Sequence, residues 1–477
     1  MGEDLQVNGG AGGVEANYED MLSYAVVLDE AGDSLRDKSM KLGGLVFDGD
    51  IAQATVLCPG EVAGVLGAIE EAATGGGGAL WVSTEVEVVS DFLRLSVSTL
   101  RTTDEMLAQA EELAWTAAGW GAGALLPVAA MGLVGLAATN PALAMLLYDN
   151  KDELLSELQE TLYDNPWMLE ALSRMAPGMV QSSLFSLATI LPGGPLLLAA
   201  LSGGNWPSGD YQSSVAGLLT IANRFGHLED IGDFEVDKAG SQPTTVDPDH
   251  MVRTIFKQQY ELGTQEGQVQ IIKSGDPPSY IVQIPGTQDW ATTRGDNPVD
   301  LTSNLQMMTG RSAIIQQLVA DAMKEAHIPP DAPVMLTGHS QGGITAMSMA
   351  ADPDFRRQFN VTSVVTGGSP IGRIDVPDDI SVLSLEHTQD AVPMLDGVDN
   401  PDRPNWTTVR RELSDSEGTS DGQRGPGAAH STQNYATTGD QIDRSDDAGL
   451  DQWRRDNEHF FSGNGTKTQY QISPKDT

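Results

Sequence analysis

The stretch Gly338-His339-Ser340-Gln341-Gly342 sets a serine between glycines two residues before and two after. A turn at Asp331 and a short apolar run, Val334 to Leu336, lead into it. Gly342 to Met349 follows, small and apolar, with helical character. A serine on a sharp strand-to-helix turn must hold a strained backbone, and the glycines let strand and helix close on each other so that Oγ stands above the sheet edge. The first N–H groups of the helix point at the same spot, which suits a developing oxyanion. The chemistry so encoded is nucleophilic attack by Ser340. With 52 glycines in the chain the pattern alone is weak, and Gly418-Thr419-Ser420-Asp421-Gly422 also fits it. That copy lies in a polar loop with no strand before it and no helix after it, so Ser420 reads as a solvent-exposed residue.

Serine needs a base to take its proton. In this topology the order is serine, acid, histidine. Of the chain's seven histidines, His430 and His459 lie far enough downstream, whereas His387 precedes most candidate acids. His430 sits among small residues after a long loop and is favoured. His459, in a charged segment, is the alternative. The acid must lie just past a strand end to reach the imidazole Nδ1–H. Ser381 to Leu385 is that strand, and Asp390 is the favoured acid, with Asp396 and Glu386 as alternatives. The oxyanion hole needs the backbone N–H of Gln341 and a second donor. The turn after strand Tyr280 to Ile284 nominates Thr287, with Gln288 next.

The pieces IVQIPGT at 281–287, LTGHSQGG at 336–343, VVTGGSPIG at 364–372, LEHTQDAVPML at 385–395 and AHSTQNY at 429–435 resemble the α/β-hydrolase superfamily, and within it the class 3 (fungal-type) lipases. The resemblance covers roughly the last half of the chain. It implies Ser340 as nucleophile, Asp390 as triad acid, His430 as base and Thr287 in the oxyanion hole. Two positions depart from the family pattern. Pro285 stands where the family has Arg, and Gln341 where it has Leu; both bear on substrate class more than on the triad.

The elements that must position these residues fall into four zones. Residues 1–112 read as a helical N-terminal domain. Tyr18 to Leu45 carries apolar residues at mixed spacing of three and four, including Met21, Ala25, Val26, Leu28, Leu35, Met40 and Leu42. Cys58-Pro59-Gly60 announces a short helix from Glu61 to Ala73, Gly75 to Gly78 is a break, and an amphipathic pattern resumes at Trp81. Residues 113–209 are rich in Gly and Ala. Leu113 to Leu147 and Met175 to Gly209 contain no charged residue and are punctuated by Pro127, Pro141, Pro192 and Pro195. One reading is a buried helical pair or lid packed through Gly and Ala faces. The other is membrane contact, since GWGAGALLPVAAMGLVGLAA is long enough to span a bilayer. The flanking residues are acidic, so no positive-inside asymmetry orients it. Residues 210–250 read as a polar linker. Residues 251–477 alternate strands (Val269 to Ile272, Tyr280 to Ile284, Val334 to Leu336, Val361 to Val365, Ser381 to Leu385) with helices, one of them Leu301 to Ala326. The expected fold class is α/β, a doubly wound, mostly parallel sheet of α/β-hydrolase type preceded by an all-α domain.

The chain has 477 residues, enough for two or three domains. Twenty-seven Lys+Arg stand against 67 Asp+Glu, a net charge of −40. That excludes a basic face for nucleic acid. A single cysteine, Cys58, excludes an internal disulfide and a structural Cys-based zinc site. The N-terminus lacks the basic start and apolar run of a signal peptide, and Gln at position 6 argues against myristoylation of Gly2. The default compartment is the cytoplasm. The N-terminal half loosely resembles helical modules that bacteria attach to hydrolases exported by type VII-like secretion, and Tyr148 to Asp152 fits a Y-x-x-x-D spacing, which makes signal-independent export the alternative.

The leading expectation is a serine hydrolase acting on carboxylic esters, lipid-like ones above all, through an acyl-enzyme and with no metal or organic cofactor. Two others stand beside it: a membrane-inserting or secreted helical effector carrying a phospholipase-like domain, and a catalytically silent α/β-hydrolase used for binding.

Overall fold

The short apolar and β-branched runs of the C-terminal half are buried at nearly every position, which suits a sheet covered on both faces. The computed structural model describes residues 5–139, 151–189, 193–206, 210–229, 232–293, 295–420 and 423–475. Its main sheet has nine strands: β1 (Gln6–Gly9), β2 (Phe234–Val246), β3 (Gln268–Ser274), β4 (Ser279–Ile284), β5 (Pro333–His339), β6 (Asn360–Gly367), β7 (Ser381–His387), β8 (Trp406–Arg411) and β11 (Gly463–Pro474). Their order is β1-β8-β7-β6-β5-β4-β3-β11-β2. The central strands β4 to β8 run parallel, and the flanking pairings are antiparallel. A two-stranded hairpin, β9 (Thr419–Ser420) with β10 (Gln423–Arg424), stands apart.

Side chains alternate across this sheet with a period of two. Tyr280, Val282 and Ile284 enter one core cluster with Val334, Leu336, Val364 and Val382. Ile281, Met335, Val365 and Leu383 enter the other. Helices cover both faces. On the first lie α11 (Ile314–Glu325) and α12 (Gln341–Ala351), with α10 (Leu301–Met308) against α12. On the second lie α9 (Met251–Gly263), α15 (Thr432–Ile442) and α16 (Ala448–Asn457). Short helices α13 (Pro353–Arg356) and α14 (Pro426–Ala429) complete this half.

The chain divides into two units, Val14–Ala110 and the remainder. The first is helical: α1 (Val14–Gly44), α2 (Gly49–Leu57), α3 (Pro59–Thr74) and the start of α4 (Ala79–Thr139). Of the apolar set expected from the sequence, only Ala25 is fully buried in its seam. Tyr18, Ala25, Gly32 and Ser39 are buried at a spacing of seven, facing Ser83, Ser90 and Val97 of α4. Ser90 Oγ donates to the Ala25 carbonyl at 2.8 Å, and Arg94–Asp29 and Arg36–Glu87 flank the contact. Val26 and Met40 are exposed instead, because small residues let the two backbones approach and push larger ones outward.

The Gly/Ala-rich zone forms the rest of α4 with α5 (Lys151–Asp164), α6 (Pro166–Thr189), α7 (Gly194–Leu201) and α8 (Tyr211–Arg224). Helices α4 and α6 cross at two glycines. A Cβ on Gly119 would sit 2.1 Å from the Met175 carbonyl, and one on Gly178 2.2 Å from that of Thr116. Beside them Trp120 Nε1 donates to Gln181 Oε1 at 3.2 Å. Among the described residues no helix is long and apolar enough to cross a membrane.

Several sequence expectations need correction. The 210–250 linker contains α8 and the edge strand β2, whose exposed, polar alternation carries no apolar run. Residues 6–9 of the helical zone belong to the sheet as β1. The single helix Leu301 to Ala326 is two, because the chain turns at Gly310 with φ of 73°. Helix α4 continues through position 127, where loss of one hydrogen bond does not outweigh the rest of the ladder. Pro141, Pro192, the end of the 113–147 stretch and Tyr148 to Asn150 lie outside the described residues.

The glycine crossing is testable. Gly178→Val should cost about 3 kcal/mol by forcing α4 and α6 apart, read as a lower midpoint in urea denaturation.

Candidate active site

Ser340 lies between the end of β5 and the start of α12, with φ of 57° and ψ of −123°. A side chain with a Cβ rarely adopts this region, and such strain persists only where neighbours enforce it. They do so here. A Cβ on Gly338 would fall 2.0 Å from the Gly342 carbonyl carbon, and one on Gly342 2.1 Å from the Ile284 carbonyl oxygen. The two glycines let α12 rest on β5 and on the end of β4. The Ser340 N–H donates to the Gly367 carbonyl at 2.9 Å, and its own carbonyl accepts from Ser369 Oγ at 2.8 Å. The turn is thereby tied to the end of β6.

One residue beyond Gly367, the chain meets Asp390 and His430. A Cβ on Gly368 would lie 3.0 Å from both Asp390 Oδ2 and His430 Nδ1. His430 Nδ1 and Asp390 Oδ2 are 2.7 Å apart. Asp390 is fully buried and accepts two further hydrogen bonds, from Tyr435 OH at 2.7 Å and from the Val392 N–H at 2.9 Å. Burial by itself would raise this carboxyl; the charge of His430 and the three donors outweigh it and hold Asp390 below the usual range. It stays an anion, which fixes the imidazole with its proton on Nδ1 and leaves Nε2 free to act as base.

The ring of His339 lies against that of His430, tilted by 36° with centroids 4.4 Å apart, so the residue before the serine touches His430. Among the described contacts the Ser340 hydroxyl closes no hydrogen bond with the imidazole. Bonds of this kind tighten when substrate occupies the site.

Gln341 is the first residue of α12, where a backbone N–H has no partner within the helix. Its side chain is anchored by Nε2 to the Asp300 carbonyl at 3.1 Å. The turn after β4 comes alongside, and a Cβ on Gly286 would be 3.4 Å from the Ser340 Cβ. Thr287 follows, its Oγ1 accepting from Asn304 Nδ2 at 2.8 Å. Gln288 is turned away, its carboxamide bonded to Gly267 and Gln265.

The alternatives lie elsewhere or are occupied. The His459 carbonyl accepts from Ser279, at the start of β4, so it sits at the opposite end of the parallel strands from Ser340. Glu386 is paired with Arg410 and Asn400. Asp396 accepts from the Gly372 N–H, and burial pushes its carboxyl up to about 7. Ser420 is exposed on its two-residue strand.

The site is covered. Ser340 is only 6% exposed, and it lines neither the cavity of about 360 Å³ beside Arg373 nor that of about 160 Å³ beside Trp167. Helices of the Gly/Ala-rich zone are tied to its lip. Arg174 reaches Asp399 at 2.6 Å, Tyr211 OH donates to the Leu395 carbonyl at 2.8 Å, and Tyr163 OH to that of Ser414 at 2.9 Å. Tyr163 also packs with Leu413 and Ala429, next to His430.

Sequence reasoning did not single out Tyr435, five residues past His430, or a role for His387. Tyr435→Phe should leave Asp390 one donor short and lower stability at neutral pH by about 1–3 kcal/mol, measured by chemical denaturation. His387 is buried beside Asp390, Arg411 and Glu417, and burial pulls its imidazole down to about 4. Its folded value lies below the ordinary 6.5. Its contribution to stability is therefore complete above about pH 6.5 and fades as pH falls through about 4. His387→Asn should show a flatter decline in melting temperature between those values than the wild type.

No model of a known protein family matches the chain, and neither any curated protein nor any solved structure is found similar to it.

Proposed function

We propose that the protein is a serine hydrolase of α/β-hydrolase type that cleaves carboxylic esters, with lipid-like esters as the substrate class. The observation that carries this reading is the bond at 2.7 Å between fully buried Asp390 and partly buried His430, near a serine in a positive-φ strand-to-helix turn. A structural serine has no need of that backbone, and a structural histidine has no need of a fully buried carboxylate with three donors.

His430 Nε2 takes the proton of Ser340 as Oγ attacks the ester carbonyl carbon. The carbonyl oxygen becomes an oxyanion, held by the backbone N–H groups of Gln341 and Thr287. Asp390 stabilises the imidazolium. The tetrahedral adduct collapses, the C–O bond to the alcohol breaks, and His430 delivers its proton to the departing oxygen. Water, deprotonated by His430, then attacks the acyl-enzyme; the second collapse returns the proton to Ser340 and frees the acid. The helices tied over the site serve as cover for an acyl chain. The lipid-like class is the expectation that the resemblance of IVQIPGT, LTGHSQGG and LEHTQDAVPML to class 3 lipases carries, and Pro285 and Gln341 are where the sequence departs from it.

Hydrolysis of p-nitrophenyl esters of graded chain length tests the reading. Ser340→Ala should lower turnover at least about a thousandfold, and Asp390→Asn about ten-thousandfold. Folded wild-type protein that cleaves none of the series would point instead to a silent binding protein.

A further inference from the structure

We propose that His387 is a positioning residue for both His430 and Asp390, holding the chain before the base through one hydrogen bond and the phenol that steadies the acid through ring stacking. The proposal deepens the hydrolase reading and rests on it.

His387 ends β7 and is completely buried. Nδ1 lies 3.0 Å from the carbonyl oxygen of Ala429, the residue immediately before His430. A carbonyl only accepts, so Nδ1 carries the proton and donates. Nε2 of the neutral ring must then accept, and the Thr438 hydroxyl lies 2.8 Å away. Thr438 Oγ1 itself accepts from Arg411 Nη1 at 2.9 Å, and Arg411 pairs with Glu417. The Ala429 carbonyl thus fixes the tautomer of His387, while the Thr438 hydroxyl, held by Arg411 and with the Asn434 carbonyl at 3.1 Å as a second acceptor, shares its one proton between that carbonyl and Nε2. Ala429 is fully buried, so loss of the His387 donor leaves its carbonyl without a partner beside the catalytic base.

The ring face does a second job. His387 stacks on Tyr435 with centroids 3.9 Å apart and planes 21° from parallel. Tyr435 OH is the phenol that donates to Asp390 Oδ2, the same oxygen that meets His430 Nδ1. One imidazole thus bears on the base through the backbone and on the acid through an aromatic neighbour. Asn434 Nδ2 adds a parallel hold by donating to the Ala428 and Glu417 carbonyls, at 3.0 and 2.9 Å. Displacement of a reacting group by about 1 Å costs on the order of a hundredfold in rate, so a grip one residue from the base has kinetic consequences.

The test compares His387→Phe, which keeps a ring face and loses both hydrogen bonds, with His387→Asn, whose Nδ2 reaches the Nδ1 position. His387→Phe should lower kcat about ten- to a hundredfold with KM within about twofold, and His387→Asn should recover to within about threefold of wild type. In parallel, the low-field proton resonance of His430 Nδ1–H should shift or broaden in the Phe variant and return in the Asn variant. Should His387→Phe not fold, Thr438→Val removes the hydroxyl beside Nε2 that helps to hold the ring and should lower kcat severalfold. Wild-type kcat and an unchanged resonance in folded His387→Phe, or in Thr438→Val, would overturn the proposal. A wild-type chain that cleaves no ester but shows the low-field proton, lost in His387→Phe, would retire the hydrolase reading and keep the positioning role.

Discussion

One backbone conformation governs the rest of the molecule's C-terminal half. Ser340 is held at φ of 57° because helix α12 must leave strand β5 almost without a connecting loop. That is possible only where positions 338 and 342 lack side chains, since any Cβ there would overlap backbone of α12 or β4. The constraint links three strands. β5 delivers the serine, β4 lies under the following helix, and β6 accepts the serine's N–H through Gly367. The strain is offset by packing on both faces of the sheet, where the strands are apolar at successive positions. A turn this tight has one structural advantage: it lifts a hydroxyl out of a buried sheet and sets it against the N-terminus of a helix.

A second layer of polar contacts keeps Asp390 and His430 in place. Asp390 sits in full burial and remains charged because three donors surround it. The loop that carries His430 is fastened by side chains from β7, β8 and α15, through His387, Arg411, Asn434 and Thr438. A buried network of this kind is favourable only when its members are satisfied, and it then selects a single arrangement. The helices of the Gly/Ala-rich zone close over the same edge with tyrosine and arginine anchors, so the site is shaped by parts of the chain far apart in sequence.

Much of the site was legible before the fold was seen. Ser340 announced itself through glycine spacing and an abrupt change from strand to helix. Asp390 followed from its place after an apolar strand, and His430 from chain order and small neighbours. Tyr435 and His387 were not legible, since their roles depend on three-dimensional stacking and on donors directed at particular carbonyls. Of the central parallel strands, β4 to β7 are visible as short runs rich in apolar and β-branched residues, whereas β8, with Thr407, Thr408 and two arginines, is not. Nor are the flanking strands β2 and β11: they are long, polar and half-exposed, and they pair through backbone alone with little apolar signal. The N-terminal helices are legible, their contact face only in part: hydrophobic spacing points to Ala25, Val26 and Met40, whereas close backbone approach keeps Ala25, adds Gly32 and Ser39, and leaves Val26 and Met40 exposed.

The central claim is that position 340 holds a reactive hydroxyl served by one base, one acid and two backbone donors. A crystal structure of the protein after reaction with an alkyl fluorophosphonate tests it most directly. The account predicts a covalent phosphonyl group on Ser340 Oγ, its oxygen within hydrogen-bonding distance of the N–H groups of Gln341 and Thr287, and His430 Nε2 turned toward the adduct. Protein left unmodified at Ser340, or an adduct whose oxygen points away from both donors, would contradict it.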